Sequence, residues 1–278
     1  MARPMWLVNL IRANFKNRFV IASWTKKAPL FRSFVDWLMF EDDIFVYLPK
    51  DRIIINQTIN SPTNVILPSE VVKHFIHEGS NLLIMDKCIC RQSADCKDYP
   101  IDIGCLFIGT PTLKISPKLG HQVSKSEAYE HLERAREAGL VHSLGRNKLD
   151  TIWLGATPGH KLLTVCHCCP CCCLYRVLPD LDRSISSKIT HMPGVSVTVK
   201  SERCEGCGAC AKVCLARAIT IETVPGTRPA KKSVISDLCV GCGRCVEACP
   251  HKAIELHIDN DQFIEDTIRQ ISEKVDVT

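Results

Sequence analysis

No stretch of the 278-residue chain holds the roughly 18 consecutive apolar side chains that a membrane-spanning helix needs, so no such span is expected. The opening MARPMWLVNLIRANFKNRFV has no uncharged apolar core and no small-residue cleavage site, because Arg12, Lys16 and Arg18 interrupt it. No secretion signal is read there, and the expectation is a cytoplasmic protein, at most peripheral to the inner membrane face. Reductants in that compartment keep thiols free, which argues against a disulfide scaffold. A GxxxxGK[ST] loop is also missing: GATPGH (155–160) reads as a turn, and neither a nucleotide nor a flavin site is evident. Acidic residues are absent from the first 35 positions, which carry seven basic ones: Arg3, Arg12, Lys16, Arg18, Lys26, Lys27 and Arg32. Aromatics are scarce at 6%, yet ten of the 17 fall within residues 1–50. The result is a basic, aromatic-rich arm, expected to meet a protein partner or a second copy of the chain, with a plain folded core as the next reading. Contact with anionic lipid is a lesser expectation, and nucleic acid is not favoured.

What is abundant is cysteine, with 18 of 278 residues, about 6.5%, in four tight groups. Residues 204–219 (CEGCGACAKVCLARAI) and 239–254 (CVGCGRCVEACPHKAI) are an internal repeat offset by 35, identical at eight of sixteen positions including every cysteine. Each run has the spacing C-x2-C-x2-C-x3-C, which presents three thiolates from one short loop and a fourth at the next turn, as a cubane iron–sulfur cluster requires. Zinc sites more often use two well-separated C-x2-C pairs.

Upstream, Cys88, Cys90, Cys96 and Cys105 lie in KCICRQSADCKDYPIDIGC, and Cys166, Cys168, Cys169, Cys171, Cys172 and Cys173 form CHCCPCCC. Six cysteines in eight residues cannot all be packing residues, since neighbouring side chains point in different directions. Soft thiolates at this density select iron–sulfur, zinc or copper(I). Beside a two-cluster module, one or more further iron–sulfur clusters is the coherent expectation, with all ten thiols as the ligand pool. His167 is read as a hydrogen-bonding neighbour rather than a ligand, Arg91 and Arg176 as either cluster-charge partners or ordinary salt-bridged residues, and His142, His160 and His191 as structural.

Hydrophobic periodicity predicts an amphipathic helix over 28–40, and IFVYLP (44–49) and RIIINQTI (52–59) as a hairpin. It also predicts a helix capped at Ser69 and ending at Gly79, strand NLLIM (81–85), and a helix opened by the capping box Ser124-x-x-Glu127 and closed at Gly139. Further on, LLTV (162–165) reads as a strand, CLYRVL as a helix start and VSVTVK as a strand. The expected division is an arm over 1–60 with helix and hairpin, a cysteine-rich α/β domain over 61–192, a dicluster domain over 193–260 and a helical tail over 261–278.

Over about residues 195–260 the chain resembles bacterial two-cluster ferredoxins, in which the fourth cysteine of each run ligates the other cluster. The resemblance implies one [4Fe–4S] cluster on Cys204, Cys207, Cys210 and Cys249, and a second on Cys239, Cys242, Cys245 and Cys214. The family's proline after the last cysteine is present as Pro250 and replaced by Leu215 in the first run. Most of the chain is similar in architecture to anaerobe iron–sulfur proteins that place CxCR…C…C and CxCCxCCC segments ahead of such a domain. The doublets Cys168-Cys169 and Cys171-Cys172 resemble those of heterodisulfide reductases, which hold non-cubane clusters, although the spacing differs. An α+β protein is expected, an α/β cysteine-rich domain followed by a ferredoxin-like (βαβ)2 module. Its expected role is to relay low-potential electrons to or from an oxidoreductase partner, more as an electron-transfer subunit than as a stand-alone enzyme. A catalytic reductase with a substrate-binding upstream cluster, and a cluster-based redox sensor, are the alternatives.

Overall fold

The apolar runs IFVY, LLIM and LTVCHC become strands of one seven-stranded mixed sheet in the computed structural model, which describes residues 3–53, 67–226 and 230–278. The strands are β1 (Ile44–Tyr47), β2 (Leu82–Met85), β3 (Leu106–Ile108), β4 (Gly120–Gln122), β5 (Val141–Arg146), β6 (Leu163–Cys168) and β7 (Ile189–His191), in the spatial order β4-β2-β3-β6-β5-β1-β7. All neighbours are antiparallel except β1 and β7. This alternation brings the end of β2, the start of β3, the end of β6 and the start of β5 to one edge of the sheet. Every upstream cysteine group enters or leaves at that edge.

The hairpin expected over 44–59 is not the pairing that forms. β1 has both flanks occupied, by β5 and β7, and residues 51–53 form a helical turn; residues 54–59 lie outside the described residues. A strand buried on both faces, as β1 is, pairs most favourably in mid-sheet, which the local sequence cannot distinguish from a hairpin.

Side-chain alternation splits the strands between two cores. Val46, Leu144, Val165 and Leu106 face the helices Glu70–Glu78, Lys125–Glu137 and Phe263–Ser272. The helix Lys125–Glu137 begins with the expected reciprocal Ser124–Glu127 capping box. Helix Phe263–Ser272 buries Phe263, Ile264 and Ile271 in that core, each contributing about 1.5–3 kcal/mol. Its chain end returns to the sheet, Ser80 N–H donating to Val277 O at 3.1 Å and Asp276 N–H to His160 O at 2.8 Å.

On the opposite face Phe45, Tyr47, Val141 and Cys168 pack with Tyr175 and Leu178 of the short helix Leu174–Asp180 and with Ala22 and Val35 of the arm. Ahead of β1 the arm is mostly helical, with helices Met5–Asn14, Arg18–Lys27 and Pro29–Val35, the last widening into a π-type turn over Asp36–Phe40. It leaves Trp6, Trp24, Leu30, Phe34 and Trp37 exposed. Among the described residues no helix is long and apolar enough to cross a membrane.

The repeat region folds as strand–helix–strand twice: β8 (Val195–Val199), helix Ala209–Val213, β9 (Ile219–Thr223), then β10 (Lys231–Ile235), helix Arg244–Ala248, β11 (Ile254–Ile258). β8 pairs with β11 and β9 with β10, both antiparallel. The fold is therefore α+β, with a ferredoxin-type module after a cysteine-rich region.

Candidate metal centres

In the repeat, two glycines let the thiol loops close. Gly206 has φ +62° and a Cβ there would stand 2.4 Å from Lys231 O; at Gly241, φ +64°, it would stand 2.8 Å from His191 Cβ. Neither the conformation nor the space admits another residue. Cys204, Cys207 and Cys210 consequently line one concave site, whose fourth cysteine is Cys249 of the second run. Conversely Cys214 of the first run is an electrostatic neighbour of Cys239, Cys242 and Cys245; burial first, and then these like charges, push the Cys242 thiol up to about 12. The fourth cysteine of each run thus sits with the other run's three.

The backbone supplies matching hydrogen bonds, Ala218 N–H to Cys214 Sγ and Ala253 N–H to Cys249 Sγ, both 3.2 Å. Ser233 adds a backbone N–H to Cys204 Sγ at 3.4 Å and has its hydroxyl 3.2 Å from Cys210 Sγ. Burial works against ionisation of Cys204, but these donors and the Gly206 N–H leave its thiol below the ordinary range. Four thiols with aimed N–H groups fit a cluster whose sulfur ligands carry negative charge. Cys207 is exposed, whereas Cys242 and Cys245 are buried, so the first site is outer and the second inner.

The ten upstream thiols divide in two. β6 carries Cys166 and Cys168 on one face and His167 on the other, an arrangement that C-H-C on any strand must give. Across the sheet, Tyr47 pairs with Ser143 and Ser143 with Cys166, while Cys105 just before β3 has its sulfur 3.5 Å from Cys166 Sγ. Around this row stand Cys173, 3.4 Å from Cys168 Sγ, and Cys88 with Cys90, which shift each other's ionisation in opposite directions. Hydrogen bonds from Cys166 and Cys173, then from Tyr47 and Ser143, hold the Cys168 thiol well below its ordinary range despite burial. The other four, Cys96, Cys169, Cys171 and Cys172, form a separate group at the rim.

Arg91 is 1% exposed and donates from Nε to Pro100 O at 2.7 Å, from Nη1 to His167 O at 2.7 Å, and from Nη2 to Ile103 O. It ties the two upstream thiol loops together while its charge stands near Cys88, Cys169 and Cys105. His167 turns away from the thiols: its Nδ1 lies 2.9 Å from His142 Nδ1, and burial holds both rings neutral. His191 Nδ1 lies 2.9 Å from the backbone oxygen of Met192, and His160 sits in the turn joined to Asp276. Arg176 donates to Pro170 O, inside CHCCPCCC, and to Cys214 O at 3.5 Å, so it spans the seam between the upstream thiols and the inner ferredoxin-type site.

Sequence reasoning missed Tyr47, Ser143 and Ser233. The only signal for the first two was period-2 alternation, which gives a face but not the strand opposite.

These features define a two-site cysteine module of ferredoxin type behind a second thiol-rich region. A family model described as a 4Fe-4S dicluster domain matches residues 203–253. No curated protein and no solved structure matches the chain.

Proposed function

We propose that the chain is an electron-transfer protein in which the ferredoxin-type module serves a further iron–sulfur centre on Cys88, Cys90, Cys105, Cys166, Cys168 and Cys173, exchanging electrons with a redox partner protein or an oxidoreductase complex. In this reading Cys204, Cys207, Cys210 and Cys249 hold the outer cluster and Cys239, Cys242, Cys245 and Cys214 the inner one. The bound clusters would supply reversible one-electron chemistry with little ligand rearrangement.

The observation that carries the reading is a shared core. Cys168 and Cys173 belong to the same buried apolar cluster as Leu215, Val240 and Cys242, so inner-site and upstream thiols share one core. Arg176 pins the seam between them from both sides. Buried Leu215 and Val240 belong to that shared cluster, while exposed Cys207 marks the end open to a partner. The six upstream thiols are spread as close pairs rather than converging on one point, which suits a multi-iron group better than a single ion.

The test is iron and acid-labile sulfide per chain on anaerobically purified protein, with electron paramagnetic resonance through a reductive titration. Iron clearly above the roughly eight per chain of two cubanes is expected, with an additional signal that Cys168→Ser with Cys173→Ser abolishes. About eight irons with only the coupled ferredoxin-type signals would remove the upstream centre.

A further inference from the structure

Convergence of four sulfurs on one point separates the rim thiols from all the others described. Cys171 Sγ lies 3.6 Å from Cys96 Sγ, 3.5 Å from Cys169 Sγ and 3.5 Å from Cys172 Sγ. All four sulfurs lie within 4.8 Å of one another, and among the described residues no other three His, Cys, Asp or Glu donors converge so closely. The contrast with the ferredoxin-type thiols is internal to the molecule: neither set of four there converges so closely. A single ion with metal–sulfur bonds of about 2.3 Å sets tetrahedral sulfur–sulfur edges of about 3.8 Å, which is the spacing of the rim group. Four thiolates wrapped outside a cubane must stand further apart than that.

We infer that Cys96, Cys169, Cys171 and Cys172 form a mononuclear tetrathiolate site for one divalent, thiophilic metal ion, zinc or a single iron, distinct from the electron-carrying centres. With four protein ligands and no open position, the site is structural. It joins the loop after helix Ile89–Ser93 to the CHCCPCCC loop, two segments that share no strand pairing at that point. Three of its thiols are buried, among Ile103, Ala135 and Leu140. Arg91 and Arg18 stand near enough to Cys169 and Cys172 to offset the negative charge of a four-thiolate site. The same loop bears Tyr99, whose hydroxyl accepts from Arg244 Nη1 at 3.2 Å; Arg244 belongs to the inner-site helix of the ferredoxin-type module and also donates to Gly139 O. Closing this loop therefore holds the module's docking arginine in register.

The inference stands on the rim geometry and is independent of the reading of the six inner thiols. Metal content and X-ray absorption at the zinc and iron edges of the anaerobically purified full chain test it. One zinc per chain with four sulfur neighbours at about 2.3 Å is expected. Cys96→Ser with Cys171→Ser should lower that zinc more than tenfold while iron content and the ferredoxin-type resonance signals stay unchanged. If the ion is iron, the same variant should remove one iron and the resonance signature of an isolated high-spin iron, which equally supports a mononuclear site. Loss of about four irons in the variant would assign the rim thiols to a cluster and overturn the inference. Should the variant not fold, absence from the wild-type protein of both a four-sulfur zinc spectrum and an isolated-iron signal overturns it as well.

Discussion

Tyr47 and Cys168 are 121 residues apart in the chain, yet the phenol oxygen lies 3.5 Å from the cysteine sulfur inside the sheet's dry face. The same oxygen lies 3.6 Å from Cys173 Sγ, and the ring is held edge-on by Phe45 and Tyr175. A phenol donating to a thiolate stabilises the more negative, reduced state of whatever metal group that thiolate holds. A hydrogen bond to a charged acceptor contributes about 1.5–3 kcal/mol, and a one-electron couple moves about 59 mV per tenfold. Tyr47→Phe should therefore lower the potential of the proposed upstream centre by on the order of 50–100 mV while leaving its iron content intact. A redox titration followed by paramagnetic resonance checks this; an unmoved potential at full iron content contradicts it.

Arg91 closes three backbone carbonyls in a space that water does not reach. Arg91→Ala leaves those acceptors buried and unpaired, a loss on the order of 3–5 kcal/mol. Thermal unfolding should fall by on the order of 10 °C. Arg91→Lys should recover only a small part, because one ammonium cannot reproduce the planar fork. Equal stability of the Lys variant and the wild type would rule out this role.

Cys214 and Cys242 are electrostatic neighbours although they belong to different runs, and the proposed crossed ligation makes them partners in one site. Cys214→Ser and Cys242→Ser should each perturb the same resonance signal, and the double variant should be little worse than either single one. Cys249→Ser should instead perturb the signal that Cys204→Ser perturbs. Additive loss of two distinct signals from Cys214→Ser with Cys242→Ser would show that each run serves its own cluster.

Asp43 accepts a hydrogen bond from Lys148 N–H at 2.7 Å, but burial raises its carboxyl from the ordinary range to about 7. The native state then binds a proton that the unfolded chain has released between about pH 4 and 7, so this group's contribution to stability falls as pH rises through that window. Asp43→Asn, which keeps an acceptor for Lys148, should flatten this part of the pH–stability profile and stabilise the protein at pH 8. Denaturant unfolding at pH 5 and pH 8 measures it, and an unchanged pH dependence would contradict it.

Local sequence rules carried some elements fully. The Ser124–Glu127 box forms as its spacing requires, and the LLTV run extends as β6 into the second thiol group. They failed at Ile44–Tyr47, whose alternation fixes a face but not its neighbours. Nor could they foresee that Arg91, beside Cys90, would be among the most buried side chains, because the carbonyls that surround it come from positions 100, 103 and 167.

The sequence by itself determined the chemistry of the repeat, because thiols at steps of three residues, with glycines between them, prescribe how a short loop must wrap. It also determined that His167 and its flanking cysteines face opposite ways, since strand period is a local property. Only the tertiary structure decided how the ten upstream thiols divide, four converging at the rim and six spreading beneath the sheet's edge. That division depends on which strands lie side by side. Antiparallel pairing of β3, β6 and β5 joins residues separated by 19 to 59 positions, and the packing energy of the whole sheet, not any local motif, selects that order.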